Sequence, residues 1–250
     1  MDTVYAMPNQ PHRLFINVVH ACPNACMFCV DFKGDTFFGF DLKHSRVPGV
    51  DDVIGAVRAY PHLMHVREVY FCGIGEPLLL YDRVVEAAVQ LRSALPANTL
   101  LAINTSGTHY LWRRSVDFVR AFDLVQVSLN AENEDKYNRI CRPKSPGAFQ
   151  ALMAFLRDLK QFLDQSVSPC RVELSVVDTS EREHLPPSEQ HLSELPVPDF
   201  DACARIADGF GWRFKVKPLI RECESQEWKS FAASVRPPLV QVGWQRAGAA

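Results

Sequence analysis

At 250 residues the chain has the length of one α/β domain of the barrel kind, or at most two smaller ones. An apolar fraction of 47%, a charged fraction of 22% and a net charge of -2 exclude broad electrostatic attraction to nucleic acid or to an anionic membrane. No apolar run approaches the ~20 residues needed to span a bilayer. The opening MDTVYAMPNQPHRLF lacks the charged-then-apolar order of a secretion signal, so a cytoplasmic protein without a membrane partner is expected.

Strand-like and helix-like segments alternate along most of the chain. LFINVV (Leu14 to Val19) is a β-branched and aromatic run that ends at a group of cysteines, and VREVYFC (Val66 to Cys72) is the next such run, bounded by Gly73. LLAIN (Leu100 to Asn104), LVQVSLN (Leu124 to Asn130), CRVELSVV (Cys170 to Val177) and WRFKVK (Trp212 to Lys217) follow. Short apolar runs closed by turn residues read as buried strands of a parallel sheet. Helical periods lie between them. Asp51 to Ala59 has an acidic first turn, Tyr81 to Leu95 repeats Val84, Val85, Ala88 and Leu91, Ala148 to Leu163 repeats Leu152, Phe155, Leu156 and Leu159, and Phe200 to Phe210 stops at Gly211. Six βα units are therefore expected, curled into a partial barrel or laid out as an open doubly wound sheet. Thr179 to Pro198 is polar and proline-rich and reads as a surface loop. Arg221 to Ala250 has no period beyond a short helix around Glu227 to Ala233, and QRAGAA reads as a frayed end.

Thiols stay reduced in the cytoplasm, so clustered cysteines read there as metal ligands or catalysts. HACPNACMFC sets Cys22, Cys26 and Cys29 on one short loop directly after the first strand, where α/β barrels build their sites. Three thiolates hold three irons of a cubane cluster and leave the fourth iron open to a ligand, because no fourth cysteine lies in the loop. The competing reading is a zinc-stabilised binding module with His20 as the fourth ligand. FCGIGEPLL (Phe71 to Leu79) follows the second strand with Gly73, Gly75 and Glu76, and taken alone it is an ordinary glycine-rich turn. Polar residues end the later strands: Asn104, Thr105 and Ser106, then Ser128 and Asn130, the last two assigned to one strand face by alternation. SLNAENEDKYNRICRP adds Tyr137, Arg139, Cys141 and Arg142, and an arginine here is either an anion clamp or part of a solvated helix face. Cys141, Cys72 and Cys203 read as core cysteines, with a substrate-site thiol as the other reading of Cys141.

The CxxxCxxC spacing with Phe28 before the third cysteine, followed by GIGEP after the next strand, resembles the signature of the radical S-adenosylmethionine (SAM) superfamily. FINVVHACPNACMFC, VYFCGIGEPLL, INTSG, VSLNAENEDKYNRICRPK and FDACARIADGFGWRFKVKP together look like the TatD-associated family within it, over about residues 14 to 218. The resemblance implies a (β/α)6 partial TIM-like barrel, a parallel sheet with outer helices, as a core domain over 14–218. Residues 1–13 are then a lead-in and 219–250 an extension. It implies a [4Fe–4S] cluster on Cys22, Cys26 and Cys29 and SAM on the open iron. Phe28 would lie by the adenine and Gly73, Gly75 and Glu76 by the SAM ammonium, with Asn104, Ser128 and Asn130 holding the carboxylate and ribose. Ile74 separates the two glycines, a departure from the usual adjacent pair. Flavodoxin or ferredoxin is the implied electron donor, the substrate is unspecified, and a glycyl-radical-enzyme activase is the alternative activity. Cys223 stands alone, so no auxiliary cluster is expected.

Overall fold

The computed structural model describes residues 2–30, 36–43, 45–166, 168–180, 193–220 and 226–235. Seven strands form one sheet: β1 (Val4–Tyr5), β2 (Arg13–Ile16), β3 (Glu68–Phe71), β4 (Leu100–Thr105), β5 (Leu124–Ser128), β6 (Arg171–Val177) and β7 (Arg213–Lys217). They lie in the order of the chain, β1 to β7, antiparallel between β1 and β2 and parallel elsewhere. A doubly wound sheet reverses its strand order at a switch point, and this one does not. The sheet also curls. Lys217 on β7 lies within electrostatic reach of Arg13 on β2 and of Cys72 beyond β3, and Tyr70 on β3 lies within reach of Glu173 on β6. The fold is thus an arc of a barrel, with the interior face enclosed by the curl.

The two faces of the arc have different chemistry because side chains alternate along each strand. Val69, Phe71, Leu101, Ile103, Val125 and Val127 turn outward and are completely buried. Each such side chain contributes ~1.5–3 kcal/mol on burial. The interior face carries polar side chains instead, with Arg13 paired to Glu68, and Gln126 donating to Glu173.

The helices cover the outer face. In α1 (Val50–Arg58), Val53, Ile54 and Val57 are buried, and in α2 (Tyr81–Leu91), Val84, Ala88 and Leu91 are. The short α3 (Glu134–Cys141) is capped by the side chain of Asn133, which accepts from the Lys136 amide at 3.0 Å. In α4 (Ala148–Gln165), Leu152, Phe155, Leu156 and Leu159 form one buried stripe, and α5 (Phe200–Gly209) is capped by Asp199. The chain's last described element is α6 (Gln226–Val235). No described helix is long and apolar enough to cross a membrane.

Every expected strand and helix is present, with differences at the ends. β5 stops at Ser128, because Asn130 takes a left-handed backbone with φ of 60°. The two-residue β1 was not anticipated, and α3 is the helix that the solvated-face reading of Ser128 to Pro143 called for. Residues 181–192 of the expected surface loop, Cys223 and the terminal QRAGAA fall outside the described residues.

Candidate functional site

The loop after β2 carries Cys22, Cys26 and Cys29, all free thiols and all partly exposed. It is held on two sides. On one side lies the C-terminal end of α3, whose last carbonyls have no partner within the helix. The loop supplies them: Ala25 N–H donates to Cys141 O at 3.0 Å and Met27 N–H to Ile140 O at 3.0 Å. Arg142, at φ of 45°, turns the chain out of the helix, and Lys144 N–H then donates to Pro23 O at 2.8 Å. Asn24 is buried and its Nδ2 donates to Tyr137 Oη at 3.1 Å. The segment from Ser128 to Pro143 is therefore the dock for the cysteine loop. Arg139 and Arg142 are exposed, which favours the solvated-face reading, whereas Cys141 is completely buried and its thiol is hydrogen-bonded with Cys26.

On the other side lies the GIGEP turn after β3. Glu76 N–H donates to Ala21 O at 3.0 Å. A Cβ at Gly75 would overlap Val19 O and lie 2.7 Å from Ala21 O, so only glycine lets the two loops meet. A Cβ at Gly73 would overlap Asn17 Oδ1, and Asn17 is held in place by its Nδ2, which donates to Leu42 O at 2.7 Å. Ile74, the residue between the glycines, is buried in the core.

Glu76 is 2% exposed and all four of its carboxylate acceptor positions are taken. Oε1 accepts from Leu78 N–H at 3.1 Å and Thr105 Oγ1 at 2.7 Å; Oε2 accepts from Ser106 N–H and Ser106 Oγ, each at 2.7 Å. Burial pushes its pKa above the ordinary carboxyl range, and the donors from Ser106, Thr105 and Leu78 pull it back only in part. Thr105 and Ser106 thus serve to anchor Glu76, a partnership that separation along the chain conceals.

The remaining expected residues scatter around this centre. Phe28 is half-buried against the core. Asn104 faces the interior, where its Nδ2 donates to Cys72 Sγ at 3.2 Å. Ser128 stands beside Ser175 at the end of β5. Asn130 does not continue the Ser128 face; its left-handed turn sends Nδ2 to Cys141 Sγ at 3.4 Å. Cys72, read from sequence as core, is only half-buried and lies on the polar interior, whereas Cys203 is in the core as expected.

The donor set fits an iron–sulfur cluster. Burial, the Glu76 charge and the neighbouring Cys26 and Cys29 push the Cys22 thiol up to about 12, and contact with Cys141 and then burial push Cys26 up. Positive charge brought by bound iron offsets such a shift, because the thiolate is the form that ligates metal. Among the described residues no three His, Cys, Asp or Glu side chains converge on a point suited to a single metal ion. A cubane does not ask for such a point, because each sulfur meets its own iron.

Three partly exposed thiols on a loop at the C-terminal end of a parallel barrel arc, locked to a glycine-rich turn with a buried carboxylate, are an arrangement that fits an iron–sulfur enzyme of the barrel class. The Radical SAM superfamily model matches residues 16–168, and the chain belongs to that superfamily. Its members are enzymes that use a [4Fe–4S] cluster and SAM. No curated protein matches the chain. Among solved structures, TYW1 with a lysine-pyruvate adduct bound is similar at a TM-score of 0.53 and 12% identity, covering 86% of this chain and 67% of that one. The FeFe-hydrogenase maturase HydG from Carboxydothermus hydrogenoformans is similar at a TM-score of 0.49 and 10% identity, covering 87% of this chain and 48% of that one.

Proposed function

We propose that this radical SAM enzyme holds its [4Fe–4S] cluster on Cys22, Cys26 and Cys29, receives SAM between the cysteine loop and the GIGEP turn, and acts on a substrate in the barrel interior. When bound and reduced, the cluster supplies the electron that cleaves SAM reductively to a 5′-deoxyadenosyl radical. The observation that carries the reading is the lock between the two loops: Gly75 packed against Val19 O and Ala21 O, with Glu76 N–H on Ala21 O. It brings the three thiols and the turn to one end of the sheet.

Each residue has a physical task in this reading. Gly73 and Gly75 leave the backbone of the turn accessible to the SAM amino group. Glu76 contributes a buried negative charge next to that ammonium, and Thr105 and Ser106 keep the carboxylate oriented. Phe28 offers a ring for the adenine to pack on. Asn104, Ser128 and Asn130 supply polar groups at the ends of β4 and β5. Flavodoxin or ferredoxin serves as the electron donor. The order of the motifs favours the TatD-associated branch of the superfamily.

Anaerobic reconstitution with iron and sulfide tests the ligand assignment. About four irons and four sulfides per chain are expected, with an electron paramagnetic resonance spectrum of the reduced protein that changes on adding SAM. Stoichiometric zinc without iron or sulfide contradicts the assignment and returns the His20 zinc site.

A further inference from the structure

Cys141 stands outside the proposed ligand set but is built against it. The cysteine loop is stitched to the last turn of α3 on both sides of Cys26. Ala25 N–H donates to Cys141 O and Met27 N–H to Ile140 O, each at 3.0 Å, and Asn24 forms an antiparallel bridge with Pro143. The Cys26 and Cys141 side chains meet inside this seam, thiol on thiol, and Cys141 is completely buried there. A second contact orients the Cys141 thiol. Asn130 is itself buried and is tied to β6 by its N–H, which donates to Ser175 O at 3.3 Å. Its left-handed backbone turns Nδ2 onto Cys141 Sγ, at 3.4 Å.

An amide NH2 only donates, so the Asn130 bond uses the Cys141 sulfur as an acceptor and leaves its S–H to be given away. The Cys26 sulfur is in place to take it, and as an iron ligand that sulfur is a thiolate with no proton of its own. Reduction adds negative charge to an iron–sulfur centre, part of it on the ligand sulfurs. A donor on one of those sulfurs stabilises the reduced form more than the oxidised one, and such hydrogen bonds help to set the potential. Burial strengthens the effect, because no water competes for the sulfur. We infer that Cys141, oriented by Asn130, is a positioning residue that acts through Cys26: its S–H donates to the Cys26 sulfur in the iron-loaded protein and raises the potential at which the electron is accepted. The inference rests on the proposed ligand assignment of Cys26.

A redox titration tests it. Full-length wild type, Cys141→Ala, Cys141→Ser and Asn130→Gly are reconstituted anaerobically, their iron and sulfide are measured, and the reduced fraction is followed by electron paramagnetic resonance without SAM. Cys141→Ala should keep its iron and hold about 3- to 10-fold less reduced cluster at the wild-type midpoint, a negative shift of about 28–59 mV for a one-electron couple. Cys141→Ser, which still carries a donor, should lie closer to the wild type than to Cys141→Ala. Asn130→Gly preserves the left-handed turn and removes the amide alone, and should shift the potential the same way by less. A Cys141→Ala potential within about 1.5-fold of the wild type in reduced fraction overturns the inference and leaves the ligand assignment standing. So does a Cys141→Ser potential displaced as far as that of Cys141→Ala, which marks a packing effect. Where Cys141→Ala holds no cluster, Asn130→Gly decides in its place, and an unmoved potential overturns the inference. Wild-type protein that takes up zinc and no iron overturns the ligand assignment itself, and the inference falls with it.

Discussion

Replacing Glu76 with Gln isolates the carboxylate that joins the GIGEP turn to the end of β4. The change keeps the volume and turns one of the two acceptor oxygens into an NH2 group. Either orientation of the amide leaves one backbone N–H buried against a donor, Ser106 N–H if the NH2 takes the Oε2 place and Leu78 N–H if it takes the Oε1 place. Hydrogen bonds to a charged group contribute ~1.5–3 kcal/mol each; the backbone N–H at the NH2 position loses its acceptor outright, while the Ser106 or Thr105 hydroxyl there turns to accept from the amide and exchanges a charged bond for a neutral one. Part of that loss is offset, because a neutral amide escapes the desolvation that raises the Glu76 pKa. A net destabilisation of ~2–3 kcal/mol follows, which lowers Tm by ~4–12 °C in a domain of this size. Thermal unfolding followed by circular dichroism, on protein prepared without cluster, measures it. A Glu76→Gln variant that melts within ~1 °C of the wild type, or above it, refutes the argument that these four bonds hold the two loops together.

Gly75→Ala places a methyl group on Val19 O and Ala21 O, and should destabilise by ~2 kcal/mol or more in urea unfolding, whereas Gly209→Ala, which meets nothing within 4 Å, should be neutral or mildly stabilising. Cys141→Ala, which removes a buried thiol that is no proposed ligand, should retain iron after reconstitution, while Cys26→Ala should lose it; iron analysis of the two variants side by side reads the difference. His109 is buried among Tyr81, Phe118 and Phe155, and burial lowers its pKa from 6.5 to about 4. Its unfolded form therefore takes up a proton first, so its contribution to stability is whole above pH ~6.5 and is lost as pH falls toward the folded value, ~3 kcal/mol in all. Urea midpoints between pH 7 and 4 should fall less steeply in His109→Phe than in the wild type, and parallel slopes would contradict the assignment.

Local chemistry explains what could be read before the fold was seen. Val69, Phe71, Leu101 and Ile103 are buried runs between turn residues, and the α4 stripe repeats with a helical period, so strands and helices declared themselves. The cysteines and the glycines of GIGEP carry chemistry in their spacing alone. What stayed hidden depends on long-range pairing. Thr105 and Ser106 look like any polar strand end until Glu76 is found between them. α3 is short and polar, and its importance comes from the carbonyls at its end, which no residue type advertises. Cys72 sits at the end of an apolar run and reads as core, but the side chain turns to an interior that the curl of the sheet makes polar.

The most direct measurement of the central claim is the product of SAM in anaerobic, reduced, cluster-reconstituted protein. Dithionite or reduced flavodoxin with SAM should yield 5′-deoxyadenosine, separated by chromatography, at a rate lost in Cys22→Ala, Cys26→Ala and Cys29→Ala. Deoxyadenosine formed equally by the three cysteine variants, or absent from wild-type protein whose cluster is intact and whose spectrum responds to SAM, would contradict the account.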